Sequence, residues 1–255
     1  MNFVPADQLT LDFLRRHGPL HTPYLYEATK ELRSDRTGHR KSLLRLARNN
    51  YLRLPAPLNN PLIHTDYLVY DTVESKDHRD FIHAFMTSII TANIELEALK
   101  AGYKFISQAE ILQGRDLAFP TDDKPTYPDA LFGIDYGNGV RFFALETDRG
   151  TEAINPKHQR ANSIKRKLQA YNHILNKKTH EDLNLPTIFP VFVTTNPTRM
   201  KSFVTLAEIL FKSSKRMLFN SIEGFQPYHR TPKLIPSLFG EFQRAGNDPL
   251  DISKS

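Results

Sequence analysis

Apolar positions first recur at helical spacing in residues 5–17, where Leu9, Phe13 and Leu14 form one side and Gly18-Pro19 ends the run. Thr22 followed by Pro23 predicts a capped start for a second helix, running through Leu25, Tyr26 and Ala28 to about Leu32. Asp35 is placed to cap a third, in which Leu43, Leu44, Leu46 and Ala47 make an apolar stripe. Residues 51–55 and 64–72 read as two short strands around the turn Asn59-Asn60-Pro61. From about Asp77 the texture changes. Residues 77–101 predict a long amphipathic helix, with Phe81, Phe85, Ile89, Leu96 and Leu99 near one face and Gly102 as its stop. Residues 104–112 read as a strand and 113–128 as a loop rich in Asp and Pro. Residues 128–135 and 141–147 make a strand pair around the strong turn Gly137-Asn138-Gly139. A basic helix over 157–177, a buried strand over 187–195, a helix over 197–213 and a last strand over 217–222 complete the pattern. The tail from about Arg244 is polar and is expected to fray.

Three short helices followed by a hairpin, with a basic third helix, is the plan of a winged helix-turn-helix. Such a motif sends its second helix into the major groove, where Arg and Lys meet phosphates and guanine edges. The candidate DNA-binding residues are therefore Arg36, Arg40, Lys41, Arg45 and Arg48, on the polar side of the third helix. A three-helix protein-interaction module would carry the same charges. The later order α-β-β-β-α-β-α-β predicts a mixed sheet flanked by helices. The expected organisation is a winged helix over 1–75, an α/β domain over 76–222 and a basic, polar extension over 223–255.

Composition narrows the chemistry. The 255 residues are 40% hydrophobic and 24% charged, an ordinary globular balance. The absence of cysteine excludes disulfides, thiolate zinc sites, Fe–S clusters and cysteine nucleophiles. The start, MNFVPADQLT, does not read as a secretory signal, and the greasiest run, 203–211, is far below the ~20 residues of a membrane helix. A soluble, cytoplasmic protein with no membrane partner is expected. The net charge is +6, and its distribution matters more than its size. Residues 33–53 hold seven Lys/Arg against one acid, residues 157–178 hold seven and no acid, and residues 71–152 hold fifteen acids against eight bases. An acidic centre between two basic bands fits a metal-dependent nucleic-acid site, with carboxylates for the ion and cations for phosphate; solvated helix faces would give the same counts.

Asp129 opens one strand, and Glu146 and Asp148 close its hairpin partner, where spacing of two puts both on one face. Clustered carboxylates repel, and a hard cation such as Mg²⁺ relieves that repulsion. The ten histidines show no HxH or HExxH spacing, His83 reads as a packed side chain, and Asp122-Asp123 as a solvated pair. Arg149-Gly150-Thr151 either binds a phosphate or turns the chain. There is no GxxxxGK[ST] loop and no GxSxG elbow, so neither NTPase nor α/β-hydrolase chemistry is supported.

Pro128-Asp129 followed by Glu146-Thr147-Asp148 resembles the core of PD-(D/E)XK nucleases. More closely, PDALFGI…FFALETDRGTE, followed by a basic helix with Lys167 and Tyr171 and by the strand PVFVTT, is similar to the replication-relaxation family of plasmids and other mobile elements. The resemblance spans about residues 8–212 and is most specific over Glu146–Glu152. It implies that Asp129 and Glu146 hold the metal. The nuclease lysine position is Asp148 here, and the resemblance leaves Lys167, or Lys165 as second choice, to supply the amine from the following helix. An acid from the first helix of such a core is Glu95 or Glu97. The implied partners are double-stranded DNA, other mobilisation or replication proteins and a second copy of the chain in a homodimer. Three roles follow: a DNA-binding protein of replication, relaxation or transfer; an active Mg²⁺-dependent endonuclease; or a transcriptional regulator whose α/β domain is a scaffold.

Overall fold

Pro5 begins the first helix, α1 (Pro5–His17), which ends where Gly18 turns to a φ of +89°. A side chain at Gly18 would be both strained and crowded, because its Cβ would lie 2.9 Å from Ser88 Oγ. The computed structural model describes residues 3–33, 35–53, 69–72, 81–154, 163–223, 225 and 233–254. They fall into two units, Met1–Leu96 with Gln226–Pro236, and Glu97–Phe225 with Ser237–Ser255.

In the first unit α1 leads to β1 (Leu20–His21), α2 (Thr22–Thr29), a 3-10 turn (Lys30–Leu32), α3 (Arg36–Arg48), β2 (Leu52–Arg53) and β3 (Val69–Thr72). His21, rather than Thr22, occupies the cap position of α2. Asp35 caps α3 as expected, its Oδ1 accepting from the Gly38 N–H at 2.5 Å. The small sheet has the order β1-β3-β2, all antiparallel. The expected turn at Asn59-Asn60-Pro61 lies outside the described residues. Phe13, Leu14, Leu25, Leu43, Leu46 and Tyr70 are buried between these elements. Residues near Pro236 complete this unit: Tyr24 Oη accepts from the Ile235 N–H at 3.0 Å, and the Asn93 amide donates to the Ile235 carbonyl at 3.2 Å.

Helix α4 (Phe81–Lys100) carries the chain from one unit into the other. It is buried almost all round, through Phe85, Met86, Ile89, Ile90, Ala92 and Ile94, and Leu99 of the expected apolar face is exposed. The boundary between units therefore falls at Leu96/Glu97, not near residue 76. Glu95 explains the shift, since it is bound by His17 and Arg16 of α1.

The second unit runs β4 (Lys104–Ile106), α5 (Gln108–Leu112), β5 (Ala130–Asp135), β6 (Val140–Asp148), α6 (Ile164–Lys177), β7 (Ile188–Thr194), α7 (Pro197–Phe211), β8 (Leu218–Ser221), β9 (Glu241–Arg244) and β10 (Asn247–Asp251). They form a seven-stranded mixed sheet, β10-β9-β8-β7-β6-β5-β4, in which only β6, β7 and β8 run parallel. Leu168, Tyr171 and Ile174 of α6 and Phe203 and Leu206 of α7 share a core with Leu131, Ala144, Phe192 and Phe219 of the sheet. The molecule is thus a mixed α+β protein. Among the described residues no helix is long and apolar enough to cross a membrane.

Two expectations are corrected here. Residues 104–112 divide into a strand and a helix, because Ser107 and Glu110 form a reciprocal cap: the Ser107 N–H donates to Glu110 Oε2 at 2.8 Å, and the Glu110 N–H to Ser107 Oγ at 3.3 Å. The expected extension over 223–255, with its fraying tail, instead supplies β9 and β10. Phe242, Ala245 and Ile252 anchor them in the core, and Gly246 at φ +61° makes the turn between them.

Candidate functional site

The β5–β6 hairpin brings Asp129 beside Glu146. Asp129 lies just before β5; its N–H donates to the Leu145 carbonyl at 2.9 Å and its Oδ2 accepts from the Thr147 N–H at 2.7 Å. These two bonds bracket Glu146. Strand alternation turns Ala144, Glu146 and Asp148 toward the side covered by α6 and α7. Lys167 and Tyr171, four apart on α6, share one helix face and meet Glu146 there. Tyr171 Oη donates to Glu146 Oε1 at 2.7 Å, and Lys167 Nζ lies 2.9 Å from Glu146 Oε2 and 3.0 Å from Glu152 Oε1. Among the described residues the Lys167 ammonium is the one group that meets the buried Glu146 Oε2.

Burial pushes the Glu146 carboxyl up to about 7; Lys167 pulls it down, Asp129 adds to the rise, and Tyr171 opposes it. Burial works against the charge on Lys167, but Glu146, Asp129 and Glu152 together hold its ammonium well above the ordinary lysine range. Burial, with the Glu146 charge and hydrogen bond, also keeps the Tyr171 phenol protonated far beyond its usual range. The arrangement is a fixed cation facing a carboxyl that changes charge near neutrality.

Asp148 does not join this group. Arg199, in the first turn of α7, grips it with two prongs, Nε to Oδ2 at 2.5 Å and Nη2 to Oδ1 at 2.8 Å. Thr194 Oγ1 and the Gly150 N–H also donate to Oδ2, at 2.8 and 3.1 Å. With both oxygens engaged, Asp148 ties the end of β6 to β7 and α7. Gly150, at φ +87°, turns the chain through the Arg149-Gly150-Thr151 segment. Arg199 Nη2 also donates to the Glu152 carbonyl at 2.5 Å, which helps place Glu152 against Lys167.

The sequence-derived candidates therefore separate. Asp129, Glu146 and Lys167 converge and Asp148 does not. Glu95 is engaged by His17 and Arg16, and Glu97 by Lys100 at 2.8 Å. On α3, Arg36, Arg40, Lys41 and Arg48 are exposed, whereas Arg45 turns back to the buried Asp7. Ser42 and Arg33 bind the same carboxylate. Burial raises the Asp7 carboxyl, but these hydrogen bonds outweigh it and hold it below its ordinary value. The sequence pattern marks neither Arg199 nor Glu152 as a member of the site. Arg199 leaves one signal: a cation in the first turn of a helix opposes the helix dipole and needs a partner.

Glu146 and Lys167 also line a cavity of about 480 Å³ between the 121–127 loop and α6. Among the described residues no group of three or more histidine or acidic side chains is placed to hold a metal ion. An ion here would rest on Asp129 and Glu146, with water and substrate oxygens completing its shell. That donor set fits Mg²⁺, which is commonly held by one or two carboxylates plus phosphates. Glu146 Oε2, which faces the Lys167 ammonium, would be shared between that cation and the metal. Compared with family models, curated proteins and solved structures, the chain matches none.

Proposed function

We propose that this is a double-stranded DNA-binding protein whose second unit is a PD-(D/E)XK-like, Mg²⁺-dependent DNA-cleaving site. The reading rests on one observation above all: Lys167 places its ammonium 2.9 Å from Glu146, beside Asp129, and so supplies from α6 the amine that Asp148 cannot. In the first unit the order α1-β1-α2-α3-β2-β3, with a β1-β3-β2 sheet and exposed cations on α3, supports a winged helix that enters the major groove. The resemblance of Glu146–Glu152 to the replication-relaxation family supports a cellular role in plasmid or mobile-element replication, relaxation or transfer, in the cytoplasm.

A bound Mg²⁺ would polarise a phosphoryl oxygen and lower the pKa of a water. The chain does the rest. Asp129, fixed by the Thr147 N–H, and Glu146, fixed by Tyr171, present two oxygens with little freedom to move. Lys167 stays protonated, so it acts as a cation that orients the attacking water and offsets phosphate charge, not as a base. Glu146 must lose its proton to bind a cation, so metal affinity should weaken as pH falls.

The test is Mn²⁺- and Mg²⁺-dependent nicking of supercoiled plasmid by the wild type, Asp129→Ala and Lys167→Ala. Wild-type nicking lost by about 10²–10⁴-fold in both variants is the expected result. Nicking that survives both changes, or none by wild type, overturns the cleavage reading. In the second case the protein is a binder alone, and a footprint at an origin or at a promoter separates replication from transcriptional control.

A further inference from the structure

The cavity beside Glu146 has features that holding a metal does not require. Tyr127 stands at its wall with 65% of its surface exposed and makes no ring contact or hydrogen bond with the described residues. Its backbone is nevertheless held on both sides. Phe119 and Thr126 exchange two backbone hydrogen bonds at 2.9 Å, Thr121 Oγ1 donates to the Lys124 carbonyl at 2.6 Å, and the Asp129 N–H is fixed to β6. An aromatic ring presented to solvent from a pinned backbone loses little freedom when something stacks on it. Lys124 and Arg166 line the same cavity, and neither is ion-paired among the described residues. Two acids of the 121–127 loop, Asp122 and Asp123, also line the wall, and Asp122 lies 3.2 Å from His173 Nδ1.

We propose that this cavity takes one unpaired nucleotide of a DNA strand, its base stacked on Tyr127 and its flanking phosphates met by Arg166 and Lys124. The chemistry selects this occupant. Every base has a face that stacks on an aromatic ring, and single-strand sites combine such rings with cations that follow the backbone. A base inside a duplex is already stacked on its neighbours and must leave the stack to enter a pocket. The volume of about 480 Å³ lies within the range of about 300–1,000 Å³ of cavities that enclose one small molecule. Because Glu146 and Lys167 line the same space, the nucleotide would sit next to the phosphate being cut, an arrangement that rests on the cleavage reading. The preferred substrate is then DNA with an unpaired stretch beside a duplex.

Binding of the full chain to fluorescein-labelled oligo-dT and to a blunt duplex, followed by anisotropy in Ca²⁺, tests this. Tyr127→Ala should weaken oligo-dT binding about tenfold, the loss of one stacked base, while Tyr127→Phe retains it. Arg166→Ala should weaken it too and flatten its salt dependence by about 0.7 per lost phosphate contact. Neither change should alter duplex affinity. Unchanged oligo-dT affinity in Tyr127→Ala, or an equal loss on the duplex, overturns the proposal. If oligo-dT behaves as expected while plasmid is not nicked, the cleavage reading falls and the nucleotide pocket stands. If wild type nicks plasmid while Tyr127→Ala binds oligo-dT as tightly as wild type, the pocket falls and the cleavage reading stands.

Discussion

The end of β6 holds two acids that differ in everything except burial. Glu146 and Asp148 stand two residues apart on one face, 3% and 4% exposed. Asp148 meets a guanidinium whose planar fork matches both its oxygens, a hydroxyl and an amide. Glu146 meets one phenol and an ammonium that it shares with Glu152. An ammonium is a point charge without a fork, so each oxygen of Glu146 meets a single partner, Tyr171 or Lys167. The Asp7 carboxylate of the first unit belongs with Asp148: three donors hold it charged in spite of burial. Burial alone does not mark a reactive acid; incomplete engagement does.

The sharpest way to break this contrast is Arg199→Ala. It would leave Asp148 buried with its charge unmatched, at a cost of about 3–5 kcal/mol. That corresponds to a fall in Tm of roughly 10 °C. Arg199→Lys should restore only part, because an ammonium cannot replace the fork. Urea unfolding within about 0.5 kcal/mol of wild type would show that Asp148 is not a structural tie.

Glu146→Gln should act in the opposite direction. The folded-state pKa of Glu146 is raised from 4.5 to about 7, so the fold favours the protonated carboxyl. Its contribution is fully present below the unfolded value and is lost as pH rises through about 7. The variant should therefore be more stable than wild type at pH 8, by about 1–3 kcal/mol, with the difference shrinking toward pH 5. Destabilisation at pH 8 would place Glu146 with Asp148 after all.

The smallest effect extends the comparison to α3. Arg45 is tied to Asp7, but its side chain is 38% exposed and Arg33 and Ser42 remain, so Arg45→Ala should cost only about 1 kcal/mol. Lys41→Ala with Arg48→Ala, both exposed, should leave stability within about 0.5 kcal/mol of wild type and flatten the salt dependence of duplex binding by about 0.9 per lost contact. Equal effects on stability from both would mean that the helix does not divide its cations between structure and DNA.

Local signals make much of this fold legible. Asp35 caps α3, Gly18 ends α1, and the Gly137-Asn138-Gly139 turn joins β5 to β6 as an antiparallel pair. Asp129 and Glu146 can be named because strand pairing is a local rule, whereas Lys167 is named only through the family resemblance, which leaves Lys165 beside it as second choice. The capping box of Ser107 and Glu110 is equally visible, but an apolar run masks it. Strands β9 and β10 are hidden for another reason. EFQR and NDPLD carry few apolar residues, and only their place beside β8 makes strands of them. Arg199 and Asp148 are brought together by the parallel pairing of β6 with β7, which no spacing along the chain announces.

The stitch between Ile235 and the first unit has a consequence for synthesis. Tyr24 and Asn93 emerge early, yet the segment that bonds to both, Gln226–Pro236, is translated only after most of the second unit. At about 5–20 residues per second the interval between Leu96 and Gln226 is on the order of ten seconds. Through it the nascent first unit lacks its Ile235 partners, and the hydroxyl of Tyr24, buried in the finished protein, is without the N–H from which it accepts. A truncation ending before residue 226 would make that waiting state permanent. The two units are interleaved in the chain, so neither can be released from the other by a single cut.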